Sequence, residues 1–439
     1  MATLESVLQS DPEALGAILE AMSGCDGVRE FGAAMLRASL NLLMSAEADA
    51  ACGARYGERS EGRTNSRNGH RPRGLKTAFG DVELAVPKLR RGTYYPESIL
   101  GRWSRVEASL AALVVEAYVN GVSTRDMALL ASSLGVASLS SSEVSRMAAE
   151  LDAQVDALRT RGLGDRRHCY LWLDATYVRC RVGGRSVSQA VVTAIALGED
   201  GRKRLVGLDC VDTESRDDWR AFLAGLKARG LSGLVMVVSD DHAGLTAALS
   251  ECFQGVPWQR CTVHLQRSLS RAASGRAGER LVRELAKAVF SQGDALVCRA
   301  AYGRACAAMR AAGQARAADL MEAARGDALQ YLEAPPEHWR RLRTNNVQER
   351  ANREIKRRYR SVQSFPSRGS LLRLVGAVML EEEDAWAHQR VFSPESAARA
   401  WERPQAPAPD AALARAIAEA DRAAEALVAA VVDRWGPRG

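Results

Sequence analysis

The sequence predicts an α/β core held between helical segments, and three observations predict it. The stretch Cys169 to Val182 (CYLWLDATYVRCRV) is dense in β-branched and aromatic residues, with apolar side chains on both faces, as in a strand at the centre of a sheet. From Asp165 to Arg260, β-type and α-type runs alternate. On either side, apolar residues recur mostly at helical spacing.

A chain of 439 residues is long enough for two or three domains. Apolar residues are 47% and charged residues 26%, a globular composition that excludes a wholly disordered chain. The net charge of +7 is modest, so its distribution matters more than its total. The basic residues are mostly Arg, whose planar fork of donors suits phosphate. No run is long and apolar enough to span a bilayer, and the N-terminus lacks the layout of a signal peptide. Nine scattered Cys fit reduced thiols better than a disulfide framework. The expectation is a cytoplasmic protein with no membrane partner.

The N-terminal part reads as two helices, one through Leu4, Val7, Leu8, Leu15, Ile18, Leu19 and Met22, the other from Phe31 to Ala51. They either pack on themselves or a second subunit, or touch DNA. Residues 53–74 lose apolar content and carry Arg55, Arg59, Arg63, Arg67, Arg71 and Arg73 among Gly, Ser and Asn, which reads as a loop or a phosphate-tracking arm. LKTAF and DVELAV around Gly80-Asp81 read as a hairpin. In 105–160, a helix from Ser123-Thr124 to Leu134, a break at Gly135, and a helix capped at Ser140 to Ser142 that carries Arg146 resemble a helix-turn-helix as much as a plain helical hairpin.

Beyond Asp165 come strands at Cys169 to Val182, Ser186 to Leu197 and Arg204 to Val211, a helix from Ser215 to Arg229, a strand at Leu234 to Val238, a helix from Gly244 to Phe253, and a short strand at Val256 to Arg260. This is the element order of a ribonuclease H-like fold. In that fold one acid lies mid-strand in the first strand and a second just past the fourth, the places held by Asp174 and Asp240. Residues 266–338 read as an all-helical insertion. From Trp339 to Arg368 the chain is at its most basic, with a helix from Asn345 or Asn346 through Arg360 that carries Glu349, Arg353, Lys356, Arg357, Arg358 and Arg360. A helix from Leu371 to Trp386, a Pro-containing linker and an Ala-rich terminal helix, read as an add-on or an oligomerisation element, complete the chain. The fold class is thus α/β: a ribonuclease H-like catalytic core with an all-helical insertion, preceded by a mostly helical DNA-binding region. Its expected segments are 1–104, 105–164, 165–265, 266–338, 339–392 and 393–439.

A carboxylate in an apolar strand is costly unless it is hydrogen-bonded or bound to a cation. Glu349 also fits a capping box with Asn346. Taken together, Asp174, Asp240 and Glu349 are hard oxygen donors suited to Mg²⁺, with Mn²⁺ as a substitute. Asp241 is the alternative to Asp240, and Glu354 to Glu349. Cys261 and His264 form half a zinc site without a second pair at a convincing spacing, so no zinc is expected.

DATYVR, SDDHAGL, WQRCTVHLQR and RTNNVQERANREIKRRYRSV resemble the Mutator-type transposases of prokaryotic insertion sequences. The resemblance extends upstream through RNGHRPR, VPKLRRGTYYP, GVSTRDMALLASSLG and SSSEVSRMAAELD, and covers Leu36 to Trp386. It implies a DDE-class transposase with Asp174, Asp240 and Glu349 as the acidic triad and Cys261 and His264 as an active-site motif. It further implies double-stranded DNA as partner, at terminal inverted repeats and at a target, and a homodimer or higher homo-oligomer on DNA. Asp241 departs from the small residue common there. Arg63, Arg67, Arg71, Arg73, Arg146, Arg353, Lys356, Arg357, Arg358 and Arg360 are the expected DNA-binding residues. A catalytically inactive DNA-binding regulator and a nuclease without strand transfer are the alternatives.

Overall fold

The computed structural model describes residues 27–77, 79–96, 140–148, 150–359, 365–402 and 411–436, with isolated positions before 28 and between 114 and 127. The chain divides into two compact units, Met1–Glu150 and Leu151–Gly439.

In the first unit, helix α1 (Val28–Cys52) covers a hairpin of β1 (Arg67–Thr77) and β2 (Gly80–Leu89). Met44 packs there with Leu75, Val82, Leu84 and Val86. Gly53 ends α1 at φ 73, where a side chain would be strained. The hairpin corrects the sequence reading, which placed all of 53–74 in a loop or arm. Residues from Arg67 onward pair with β2 as far as Leu89. The strand tolerates its charges because β2 supplies the alternating apolar residues, while Arg67 is held by Asp49 at 2.6 Å and Ser45 Oγ at 2.9 Å. Most of the expected first helix, and of the helix from Ser123 to Leu134, lies outside the described residues. The segment after Ser140 forms α2 (Ser141–Ala148), capped reciprocally by Ser140 and Glu143. Beyond Ala149, which lies outside the described residues, helix α3 (Glu150–Thr160) follows.

The second unit is built on a mixed sheet of five strands in the order β5-β4-β3-β6-β7. β3 (His168–Val182), β4 (Arg185–Gly198) and β5 (Lys203–Val211) form an antiparallel meander. β6 (Met236–Ser239) and β7 (Trp258–Arg260) run parallel to β3. Helices α4 (Arg216–Ala228) and α5 (Ala243–Cys252) lead into these last two strands.

Both faces of β3 are covered. Leu171 and Leu173 pack with Trp219 and Leu223 of α4 and with Leu245 of α5. Tyr170 and Trp172 face the other way, into a core shared with α6 (Thr262–Ala272), α7 (Gly275–Phe290), α8 (Ala295–Ala311) and α9 (Ala315–Ala323). Each such buried side chain stabilises by roughly 1.5–3 kcal/mol, so the two-sided apolar pattern of this strand fixes it at the centre. Short helical turns then lead to α10 (Asn346–Tyr359) and α11 (Arg368–Ala387). The terminal helix α12 (Ala411–Trp435) does not stand apart. Its Ala424 and Val428 enter the core of α6 to α9, and Arg304 of α8 donates to Asp421 at 2.9 Å.

No helix among the described residues is long and apolar enough to cross a membrane. None of the nine cysteines is in a disulfide.

Candidate active site

Strand register positions the first two acids. β3 and β6 are parallel neighbours whose last paired residues are Trp172 and Val238. Asp174 and Asp240 each follow two residues later. Asp174 alternates onto the same face as Tyr170 and Trp172. Its Oδ1 accepts the Ala175 N–H at 2.9 Å and its Oδ2 accepts Asn352 Nδ2 at 2.6 Å. Burial, with the facing Asp240 carboxylate adding to it, pushes the Asp174 pKa up to about 7.

Asp240 lies against His264 Nδ1. His264 sits in the first turn of α6, directly after Cys261. The ligand atoms of Asp240, Cys261 and His264 all lie within 4.8 Å of one another. Contact with Asp240, then with Cys261, pushes the His264 pKa up to about 10. Burial opposes that shift, and the Arg267 guanidinium stands 3.0 Å from His264 Nε2. The Cys261 thiol is fully buried and accepts the Asn345 N–H at 3.3 Å.

Glu349 comes from α10, with the Arg267 guanidinium 3.4 Å away. Its Oε1 is buried and receives no hydrogen bond. The capping-box alternative loses its basis, since Asn346 is already helical and the Asn345 side chain turns away to donate to Leu173 O at 2.9 Å. Asp174, Asp240 and Glu349 thus line one cleft of about 540 Å³, together with His264, Arg267, Asn352, Arg353, Lys356 and Arg357.

Three carboxylates from three elements, two of them with a buried oxygen (Asp240 Oδ1 and Glu349 Oε1) that receives no hydrogen bond, fit a hard divalent cation. Cys261 and His264 add softer donors beside Asp240. The sequence spacing did not reveal that this pair acquires a third neighbour, which makes Asp240, Cys261 and His264 a set of three that could hold a metal ion.

The alternative acids go elsewhere. Asp241 is exposed and pairs with Arg260 at 2.9 Å, and Glu354 pairs with Arg357 at 2.9 Å.

A family model described as "Transposase, Mutator family" matches residues 10–389. The chain belongs to the Mutator family of transposases. It is 41% identical over 358 residues to the transposase for insertion sequence element IS1081 of Mycobacterium tuberculosis, covering 82% of this chain and 86% of that protein. The transposase for IS406 of Burkholderia multivorans is 37% identical over 86% of this chain and 96% of its own length. The transposase for IS256 in transposon Tn4001 of Staphylococcus aureus is 33% identical over 81% and 90%. Among solved structures, the Drosophila P element transposase strand transfer complex matches at 12% identity and a TM-score of 0.28, covering 65% of this chain and 83% of that one, a likeness too low to bear on the fold.

In this transposase the expected basic residues divide. Arg353, Lys356 and Arg357 are exposed along the cleft. Arg146 is exposed on α2. Arg358 instead turns inward, 8% exposed, and pairs with Glu381 of α11 at 2.9 Å. The helix is rotated so that Gln348, Ala351, Asn352, Ile355 and Arg358 form its buried stripe. Arg67 is likewise consumed by its contacts to α1, and the Arg63 guanidinium donates to Arg55 O at 2.7 Å. Arg71 and Arg73 lie on β1, with the Arg73 guanidinium 5.1 Å from the centre of the Tyr95 ring. Arg360 lies outside the described residues.

Sequence reasoning missed Gln348. Fully buried, it donates to Trp172 O at 2.7 Å and Thr193 O at 3.2 Å, and accepts from Thr193 Oγ1 at 2.9 Å. Asn345, Gln348 and Asn352 thereby join the start of α10 to β3 and β4. Their i, i+3, i+7 spacing was the available signal, since amides repeating on one helical face point to a buried polar seam.

Proposed function

We propose that this chain is a DDE-class transposase that binds the terminal inverted repeats of an insertion sequence and catalyses metal-dependent strand cleavage and strand transfer. Its five-stranded sheet, in the order β5-β4-β3-β6-β7 with three antiparallel and two parallel additions, serves as a ribonuclease H-like core, and α6 to α9 as its helical insertion. The observation that carries the reading is the convergence of Asp174, Asp240 and Glu349 on one cleft edged by Arg353, Lys356 and Arg357.

The three carboxylates would hold Mg²⁺, or Mn²⁺ in its place. When bound, the ions would activate an attacking oxygen and stabilise the leaving oxygen of an in-line phosphoryl transfer. The chain's own residues do the rest. Asn352 orients Asp174, which gives up its carboxyl proton before it can act as a ligand. His264 fixes the direction of the Asp240 carboxylate. Arg353, Lys356 and Arg357 neutralise phosphates beside the scissile bond. Zinc has no part in this scheme. The acting form is a homodimer or higher homo-oligomer assembled on paired DNA ends.

The test is a Mg²⁺ reaction on duplex DNA bearing the sequences that flank this gene, comparing wild type with Glu349→Gln. Nicked and joined products from the wild type alone are expected. Nicks without joining would make the protein a nuclease. Binding without products from either would make it a DNA-binding regulator, and equal products from both would remove Glu349 from the triad.

A further inference from the structure

Helix α10 carries a second cleft beside the carboxylate one. It has a volume of about 400 Å³ and is lined by Lys203, Arg340, Arg341, Arg343, Arg350 and Trp386, with Thr344, Asn346 and Val347. Five cations line it and no carboxylate does. Glu349 and Arg350 are consecutive, yet one lines the carboxylate cleft and the other this one, so α10 is a ridge between two clefts.

Arg340, Arg341 and Arg350 are exposed, and none of them makes an ion pair among the described residues. Lys203 is half-buried, with its ammonium 4.6 Å from the centre of the Trp386 ring. Burial lowers its pKa, Arg350 and Arg341 lower it further, and Glu382 is the carboxylate that opposes them. Arg343 is tethered by donating to Phe290 O. Like charges crowded in this way destabilise the fold. The start of α10 at Asn346 adds the positive end of a helix dipole.

From this we infer that the second cleft binds the phosphodiester backbone of double-stranded DNA, on a stretch outside the carboxylate cleft. A duplex carries one negative charge per ~1.7 Å of axis, so it offsets several neighbouring cations at once, which a single small anion does not. The inference rests on the reading of the chain as a DNA-joining enzyme and extends the bound DNA to both flanks of α10.

The experiment is a fluorescence-anisotropy titration of terminal-repeat duplex over a salt series. It compares the wild type, an Arg340→Ala, Arg341→Ala, Arg350→Ala triple variant, and the corresponding Arg→Lys triple. Each lost phosphate contact lowers the slope of log K against log salt by about 0.9, so the Ala triple should lose roughly 2–3 from the wild-type slope. The Lys triple, which keeps the charges, should retain it. An Ala triple with the wild-type slope overturns the inference while leaving the proposed function intact. Equal slope loss in both triples overturns it too, by showing that the arginines act through structure rather than charge. A wild type that fails to bind the duplex overturns both readings.

Discussion

Asp174 on β3 and Asp240 just past the end of β6 each lie two residues beyond Trp172–Val238, the last pair of these adjacent parallel strands. The sheet therefore sets two carboxylates against each other before any cation is considered. The burial of Asp174 and its repulsion by Asp240 raise its pKa in the same direction.

That shift has a sign for stability. With a pKa raised to about 7, the folded metal-free protein holds a proton on Asp174 that the unfolded chain releases near the ordinary value of 3.8. Between those values the native state binds more protons, so the contribution of this group falls as pH rises from about 4 to about 7. At pH 8 and without divalent ions, Asp174→Asn should melt at a higher temperature than wild type. Adding Mg²⁺ should raise the wild-type melting temperature and leave the variant little changed. Differential scanning fluorimetry with and without chelator checks both, and a variant that melts lower at pH 8 would make the carboxylate a structural group.

Asp240 and Asp241 are neighbours with different surroundings, since one lines the cleft and the other pairs with Arg260. Asp240→Ala should lower the Mg²⁺-dependent cleavage rate by about 10²–10³-fold, the scale of removing a group that stabilises transition-state charge. Asp241→Ala should stay within a fewfold of wild type, because an exposed ion pair contributes only about 0–1 kcal/mol. Single-turnover rates on end-bearing DNA separate the two.

Arg358 should behave unlike Arg353 and Lys356. Replacing the exposed pair with Ala should weaken DNA binding and flatten its salt slope by roughly 2. Arg358→Ala should leave that slope unchanged and destabilise the protein by about 1–3 kcal/mol, as it removes a buried side chain from the α10–α11 contact, while the exposed Glu381 is rehydrated. Urea denaturation alongside the salt series reads both effects.

Gln348→Ala leaves two buried carbonyls and the Thr193 hydroxyl without their partner. The expected cost is about 2–4 kcal/mol, measured as a shift of the denaturation midpoint. A neutral result would mean that the seam between α10 and the sheet is not part of the stabilising core.

The strands of the core were legible because each carries its own pattern. Three β-rich runs with short connections gave the meander, and the apolar run ending at Ser239 gave the buried parallel strand. The hairpin was legible only in part, since Arg67 to Gly74 looks like an arm until Asp49 and Ser45 are brought against Arg67. The helix of Glu349 was legible as a helix but not in its rotation. In the sequence Val347, Ala351, Ile355 and Tyr359 form an apolar stripe at i+4 spacing, while the fold buries Gln348, Ala351, Asn352, Ile355 and Arg358.

By itself, then, the sequence determined the order of elements, the central strand with a misplaced carboxylate, and the run of motifs that marks a Mutator-family transposase. Those are properties of periodicity and local composition, which the chain carries wherever it folds. The choice of Asp240 over Asp241 for the cleft, the inward turn of Arg358 and the amide seam under Asp174 were decided by the tertiary structure. Each depends on strand register or helix rotation, and those are set by contacts between segments far apart in the chain.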